Sequence, residues 1–125
     1  MRLKSDLIPL LQAAVDGRLD QVSPQWHDNA AVCVVLTAQG YPGAYDKNKE
    51  IHGLERLKNW QQGFVFHAGT AKNDDQWFTA GGRVLNITAQ GETIVAAAKE
   101  AYWAVRQISW DGMHYRKDIA RRALN

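Results

Sequence analysis

The stretch from Thr79 to Ile108 constrains this chain more than any other. It opens on Gly81-Gly82, two residues without a Cβ, which permit a tight turn or a close backbone approach. Arg83-Val84-Leu85-Asn86-Ile87-Thr88 then reads as a buried strand from its apolar, β-branched content. Gln90-Gly91-Glu92-Thr93 breaks it. Beyond the break Ile94, Val95, Ala98, Ala101, Tyr102, Val105 and Ile108 recur at three- and four-residue steps, one stripe of an amphipathic helix. A strand feeding a long helix gives the chain something to pack on, and it places Arg83 directly after a flexible double glycine.

The remainder falls into place around this unit. Ser5 or Asp6 caps a first helix carrying Leu7, Leu10, Leu11, Ala14 and Val15, which ends at Gly17. Its start so close to Met1 suggests that the chain is cut from something longer. Ala30 to Ala38 is an almost continuous apolar run, expected to be a strand covered on both faces. Gln39-Gly40-Tyr41-Pro42-Gly43 makes a sharp turn, and Glu50 to Leu54 reads as a short strand. Gly63 to Thr70 reads as another, followed by a polar tip at Lys72 to Gln76 and a return through Trp77-Phe78-Thr79-Ala80. The tail from His114 to Leu124 is expected to form a short basic helix. Strands in the middle and helices at the ends imply an α+β domain: one small, mostly antiparallel sheet with flanking helices, spanning residues 1–125.

With 125 residues, 46% hydrophobic and 22% charged, the chain suits one globular domain with a real core. Five Trp residues suggest a large interior or a face that meets a partner. A net charge of +2 is too small to imply nucleic acid or an anionic membrane, and no apolar run is long enough for a membrane span. Cys33 is the only cysteine, which excludes an internal disulfide and fits a reducing cytoplasm.

Three glycine turns, Gly40-Tyr41-Pro42-Gly43, Ala68-Gly69-Thr70 and Gly81-Gly82-Arg83, adjoin strand-like runs. Gathered on one edge, their backbone N–H groups and Arg83 suit an anionic ligand; the alternative is that they are only tight turns. Arg83 reads equally as a bidentate grip on a carboxylate or phosphate and as a structural ion pair. His67 reads as an acid–base group or as a strand-end histidine satisfied by the backbone. The four histidines have no metal-ligand spacing, so no metal site is expected. Cys33, without a nearby cation in sequence, reads as an inert buried thiol, and the sequon Asn86-Ile87-Thr88 as a chance match inside a strand.

Lys4-Ser5-Asp6-Leu7, Gly40-Tyr41-Pro42-Gly43, Phe66-His67-Ala68-Gly69-Thr70, Gly81-Gly82-Arg83-Val84-Leu85 and Arg116-Lys117-Asp118-Ile119 occur in one order. Together they resemble the C-terminal domain of the phosphoribosylamine–glycine ligases (glycinamide ribonucleotide synthetases), ATP-grasp enzymes of purine synthesis. The resemblance covers essentially the whole chain. It implies the domain type found in those ligases, with residues 1–17 a helix continuing from an ATP-grasp domain. It also implies a parent reaction in which ATP, held with Mg²⁺, activates glycine for attack by phosphoribosylamine. By the same resemblance the magnesium ligands precede Lys4, so this chain alone binds no cofactor and is inactive, its partners being the N-terminal and ATP-grasp domains. Carried over by motif, Tyr41, Gly43, His67, Gly69, Thr70, Gly82 and Arg83 wall the active cleft, with Arg83 facing the anion. Two departures stand out: Ala120 occupies a usual glycine position, and Gln90 a usually apolar one. A free-standing small-anion or nucleotide-binding module, and a docking domain with a Trp-rich face, are the competing readings.

Overall fold

The computed structural model describes residues 1–123. In chain order the elements are α1 (Leu7–Val15), β1 (Ala30–Ala38), β2 (Glu50–Ile51), β3 (Gly63–His67), β4 (Thr70–Asn73), β5 (Gln76–Thr79), β6 (Arg83–Gly91), α2 (Ile94–Val105) and β7 (Met113–His114), with short 3₁₀ turns at Leu19–Gln21, Leu54–Leu57 and Arg121–Ala123. Two antiparallel sheets result, one ordered β3-β6-β1-β7 and one ordered β2-β5-β4. The α+β class therefore stands, with two small sheets where one was expected.

The register explains where the core lies. Val34 pairs with Ile87 and Leu36 with Leu85, and all four are fully buried. On the same side, Ile87 faces Val65 across β3. Helix α2 covers this inner face with Ala97, Ala101, Ala104 and Val105, each at 0% exposure. The buried side is therefore largely alanine, which lets helix and sheet approach closely. A Cβ on Gly91, where β6 ends, would come within 2.6 Å of the Ala97 nitrogen. Ile94 and Val95, expected in the stripe, are exposed in the first turn. Thr93 caps the helix, its hydroxyl accepting from the Ala96 N–H at 3.1 Å. The helix ends at Val105, and Ile108 is buried beyond it.

Strand β6 holds an irregularity that decides which way its first residues face. Leu36 pairs with Leu85 but Thr37 pairs with Arg83, so Val84 is an extra residue, a β-bulge. Val84 and Leu85 both point inward and are fully buried. Arg83 and Asn86, three apart and therefore opposed in a regular strand, come to share the outer face.

The two sheets meet where two glycine turns cross. The Gly69 N–H donates to the Arg83 carbonyl at 2.8 Å, and the N–H groups of Ala80 and Gly81 donate to the Gly69 carbonyl at 2.8 and 3.1 Å. This crossing divides the run Gly63 to Thr70, expected as one strand, into β3 and β4.

Other expectations are corrected by the packing. Strand β1 is covered on one face only; its outer residues Cys33 and Val35 lie on the other, and Cys33 is exposed, not buried. The tail is not a helix over its described length. Met113–His114 pairs with β1, and Tyr102 holds the loop beyond, its hydroxyl donating to the Arg116 carbonyl and accepting from the Ile119 N–H. Ala120 then turns left-handed at φ 67°, incompatible with a continuing helix; Leu124 lies outside the described residues. The Trp residues form no single face: Trp110 is buried, while Trp26 and Trp103 are exposed in different elements. Among the described residues no helix is long and apolar enough to cross a membrane.

Helix α1 starts at Asp6, whose carboxylate accepts from the Ile8 N–H at 3.0 Å. Its stripe is not buried: Ala13 is the one buried residue, while Leu7, Ile8, Leu11 and Val15 are exposed. The segment closes on itself through the Leu3–Trp26 bridge, and the Gln90 side chain donates to the Met1 carbonyl at 2.6 Å. The polar Gln90 thus has a partner that an apolar side chain could not supply.

Candidate functional site

The turn after β1 reverses through Gly40, at φ 89°, with the Gly43 N–H donating to the Gly40 carbonyl at 2.8 Å. It lays the Tyr41 ring across the start of β6. A Cβ on Gly82 would fall 2.3 Å from Tyr41 Cδ2 and 3.0 Å from Tyr45 Cε1, so only glycine lets both rings lie there. The Ala38 N–H donates to the Gly82 carbonyl at 2.9 Å and fixes the two turns together. Gly69 enters from the third turn, through its bond to the Arg83 carbonyl.

The three glycine turns thus gather at one sheet edge. They enclose an open cleft of about 540 Å³ lined by Tyr41, Tyr45, Ala68, Gly69, Gly82, Arg83 and Asn86. A second compartment of about 370 Å³ shares Tyr41 and Arg83 and continues to His114, Tyr115, Arg116 and Ile119. Among these groups Arg116 is already engaged: it donates to both oxygens of Asp118 at 2.9 and 2.8 Å. That pairing holds the Asp118 carboxyl below its ordinary range and raises the Arg116 guanidinium. Arg83 is exposed and has no ion pair among the described residues. An unpaired guanidinium between two tyrosines and an asparagine amide suits a carboxylate or phosphate.

Of the residues singled out from sequence, Tyr41, Gly69, Gly82 and Arg83 line this cleft, and Gly43 closes the turn behind Tyr41. His67 and Thr70 lie elsewhere. His67 pairs with Leu85, so its side chain takes the inner side of the sheet, opposite Arg83. There its Nδ1 lies 3.0 Å from the Thr70 hydroxyl and its ring stacks on Trp77, centroids 4.0 Å apart. Partial burial lowers its pKa, favouring the neutral imidazole. The larger cavity on that side, about 820 Å³, interleaves Arg56, Lys58 and Lys72 with Glu50, Glu55 and Asp75, and so favours neither sign of ligand. Sequence reasoning missed Tyr45 and Asn86. Tyr45 follows Tyr41 at a spacing of four, a weak signal in a turn; Asn86 joins Arg83 only because of the bulge.

The chain matches the family model for the phosphoribosylglycinamide synthetase C domain over residues 31–122. It belongs to that family. Among curated relatives it is 50% identical over 124 residues to the phosphoribosylamine–glycine ligase of Vibrio cholerae, and 46% identical over 125 residues to that of Rhodopirellula baltica. Each alignment covers 99% of this chain and 29% of the relative, so the chain spans under a third of the proteins it matches. The crystal structure of the Thermotoga maritima ligase superposes with a TM-score of 0.64 at 35% identity, over 86% of this chain and 27% of that one. This phosphoribosylglycinamide synthetase C domain has, among its described residues, no group of three His, Cys, Asp or Glu placed to hold a metal.

Proposed function

We propose that this chain works as the C-terminal part of a phosphoribosylamine–glycine ligase, which joins glycine to 5-phosphoribosylamine while ATP is hydrolysed to ADP and phosphate. The observation that carries the reading is the family match over residues 31–122 joined to a cleft in which Arg83 has no ion pair among the described residues. In this reading residues 1–17 continue from the ATP-grasp domain, the domain works in the cytoplasm, and Tyr41, Gly69, Gly82 and Arg83 form one wall of the active cleft. Arg83 faces the anionic portion of a substrate or nucleotide, where a charge-assisted hydrogen bond contributes about 1.5–3 kcal/mol. In this reading ATP and Mg²⁺ are held by the rest of the enzyme. The chain by itself is inactive.

The test replaces the C-terminal 29% of the Vibrio cholerae ligase with this chain and assays ADP release in the presence of glycine, phosphoribosylamine and Mg-ATP. Activity dependent on all three is the expected result, with none from the chain alone. Arg83→Ala in the chimera should lower kcat/KM by roughly ten- to a hundredfold, at about 1.4 kcal/mol per tenfold. If the chimera is inactive, and phosphate instead raises the melting temperature of the isolated chain in an Arg83-dependent way, the small-anion module is the better description.

A further inference from the structure

The cleft has an underside. Behind Tyr45 lies another cavity of about 310 Å³, lined by Gln39, Asp46, Lys49, Trp110 and Asp111, and Tyr45 lines both this cavity and the cleft. Tyr45 therefore partitions the two, with the Tyr41 ring 6.3 Å away between centroids. Where it stands sets the shape of the cleft.

Tyr45 belongs to a strap tied at its ends. The Gly43 N–H donates to the Gly40 carbonyl and the Asn48 N–H to the Thr79 carbonyl at 2.7 Å; among the described residues the N–H groups of residues 44–47 have no backbone acceptor. At the second end Asn48 turns left-handed at φ 59°. Lys49 is then laced to Thr79 twice more. The Thr79 N–H donates to the Lys49 carbonyl at 2.9 Å, and the Lys49 N–H donates to the Thr79 hydroxyl at 3.0 Å. Thr79 is fully buried and leads into Gly81-Gly82-Arg83, so this end is a fixed point.

The Lys49 ammonium reaches the Asp111 carboxylate at 3.0 Å and lies 3.9 Å from that of Asp46, inside the strap. Asp111 stands on a turn that is itself anchored. Trp110 before it is buried, Gly112 after it sits left-handed at φ 78° beside Gln39, and Met113–His114 pairs with β1. The same turn leads to His114, Tyr115 and Arg116 in the second compartment of the cleft. Three segments that wall the cleft thus meet at one ammonium, which the bond to Asp111 holds above its ordinary pKa. The Asp111 side chain is 85% exposed, and a pair so open to water adds little to folding stability. What it fixes is geometry.

We infer that Lys49 is a positioning residue: through Asp111 and Asp46 its ammonium holds the Tyr45 strap to the Trp110–Gly112 turn and so presets the cleft in which Arg83 captures its anion. This rests on the ligase reading and deepens it. Without the tie the strap samples other positions, and apparent affinity falls with the fraction of molecules that keep the competent one. Once ligand fills the cleft the strap is held either way, so the chemical step is unaffected.

Lys49→Met removes the ammonium and keeps the backbone bonds to Thr79. In the Vibrio cholerae chimera it should raise KM about three- to tenfold for the substrate most affected by Arg83→Ala, with kcat within about twofold and the melting temperature unchanged. Asp111→Asn should act alike, the double variant should be no worse than Lys49→Met, and Lys49→Arg should restore KM. The inference is overturned, and the ligase reading left intact, if in an active chimera Lys49→Met leaves every KM alone, raises all three equally, lowers kcat instead, or adds to Asp111→Asn. An inactive chimera would count against the ligase reading, and the inference is then read from the rise in melting temperature that inorganic phosphate gives the chain alone. A smaller rise in Lys49→Met upholds it; an equal rise, or none in either protein, overturns it.

Discussion

The crossing of Gly69 and Gly81 gives the sharpest test of how this fold is held. Neither residue has a positive φ, so the need for glycine is a matter of space alone. A Cβ on Gly69 would lie 2.6 Å from the Gly81 Cα, 2.7 Å from the Arg83 oxygen and 2.8 Å from the Gly81 nitrogen. All three are backbone atoms, and no rotamer change relieves them. Alanine at 69 must push the turns apart and weaken the Gly69–Arg83, Ala80–Gly69 and Gly81–Gly69 hydrogen bonds. Overpacking costs about 1–3 kcal/mol and each weakened bond up to about 1 kcal/mol. A loss of about 2–4 kcal/mol follows, a large share of the roughly 5–15 kcal/mol that holds a domain. Alanine at 81 meets the Gly69 Cα at 3.0 Å and the Arg83 oxygen only at 3.8 Å, so its cost should stay near 1 kcal/mol. Urea unfolding of both variants, followed by far-UV circular dichroism, measures the difference. A Gly69→Ala loss below about 0.5 kcal/mol, or equal losses at the two positions, would refute the close-approach argument.

Ala120→Gly should stabilise the chain. Removing a left-handed alanine at φ 67° recovers about 1–2 kcal/mol, and the added freedom of the unfolded glycine returns about 0.4–1 kcal/mol, for a net gain near 0.5–1 kcal/mol visible as a rise of a few degrees in Tm. Thr93→Ala removes the cap of α2 and should cost about 1 kcal/mol in the same assay. Burial lowers the folded pKa of His67 from the ordinary 6.5, so the unfolded chain binds its proton first. Its contribution is intact above about pH 6.5 and is lost as pH falls through the folded value. His67→Gln should flatten the fall in Tm between pH 7 and 5.5, and an unchanged slope would count against that account.

Much of this fold was legible in the sequence because period and punctuation agreed. The apolar run of β1, the Trp77 return and the strand–helix unit around β6 and α2 are readable from local pattern, and of the two cap candidates, Ser5 and Asp6, the structure uses Asp6. The three glycine turns pointed to a shared edge, although spacing alone left their meeting open. What escaped notice depended on tertiary register. The continuous apolar run of β1 looks the same whether a helix covers its second face or nothing in this chain does, so Cys33 was placed inside. The tail has basic helical composition, but the Tyr102 hydroxyl and the Arg116–Asp118 pair hold it as a loop. His67 was grouped with Arg83 because both adjoin glycine turns; the pairing of His67 with Leu85 sends it to the other side.

The extra residue at Val84 makes the orientation of Arg83 a matter of counting. Deleting it would restore regular pairing with Arg83 still opposite Thr37 on the outer face, and would remove one fully buried side chain from the core. Point changes at Val84 that keep its bulk leave that arithmetic untouched. The count therefore protects Arg83 in one direction only: loss of residue 84 should cost core packing and leave the cation in the cleft, whereas one residue inserted between Arg83 and Val84 would turn the guanidinium inward, where a lone charge cannot stay.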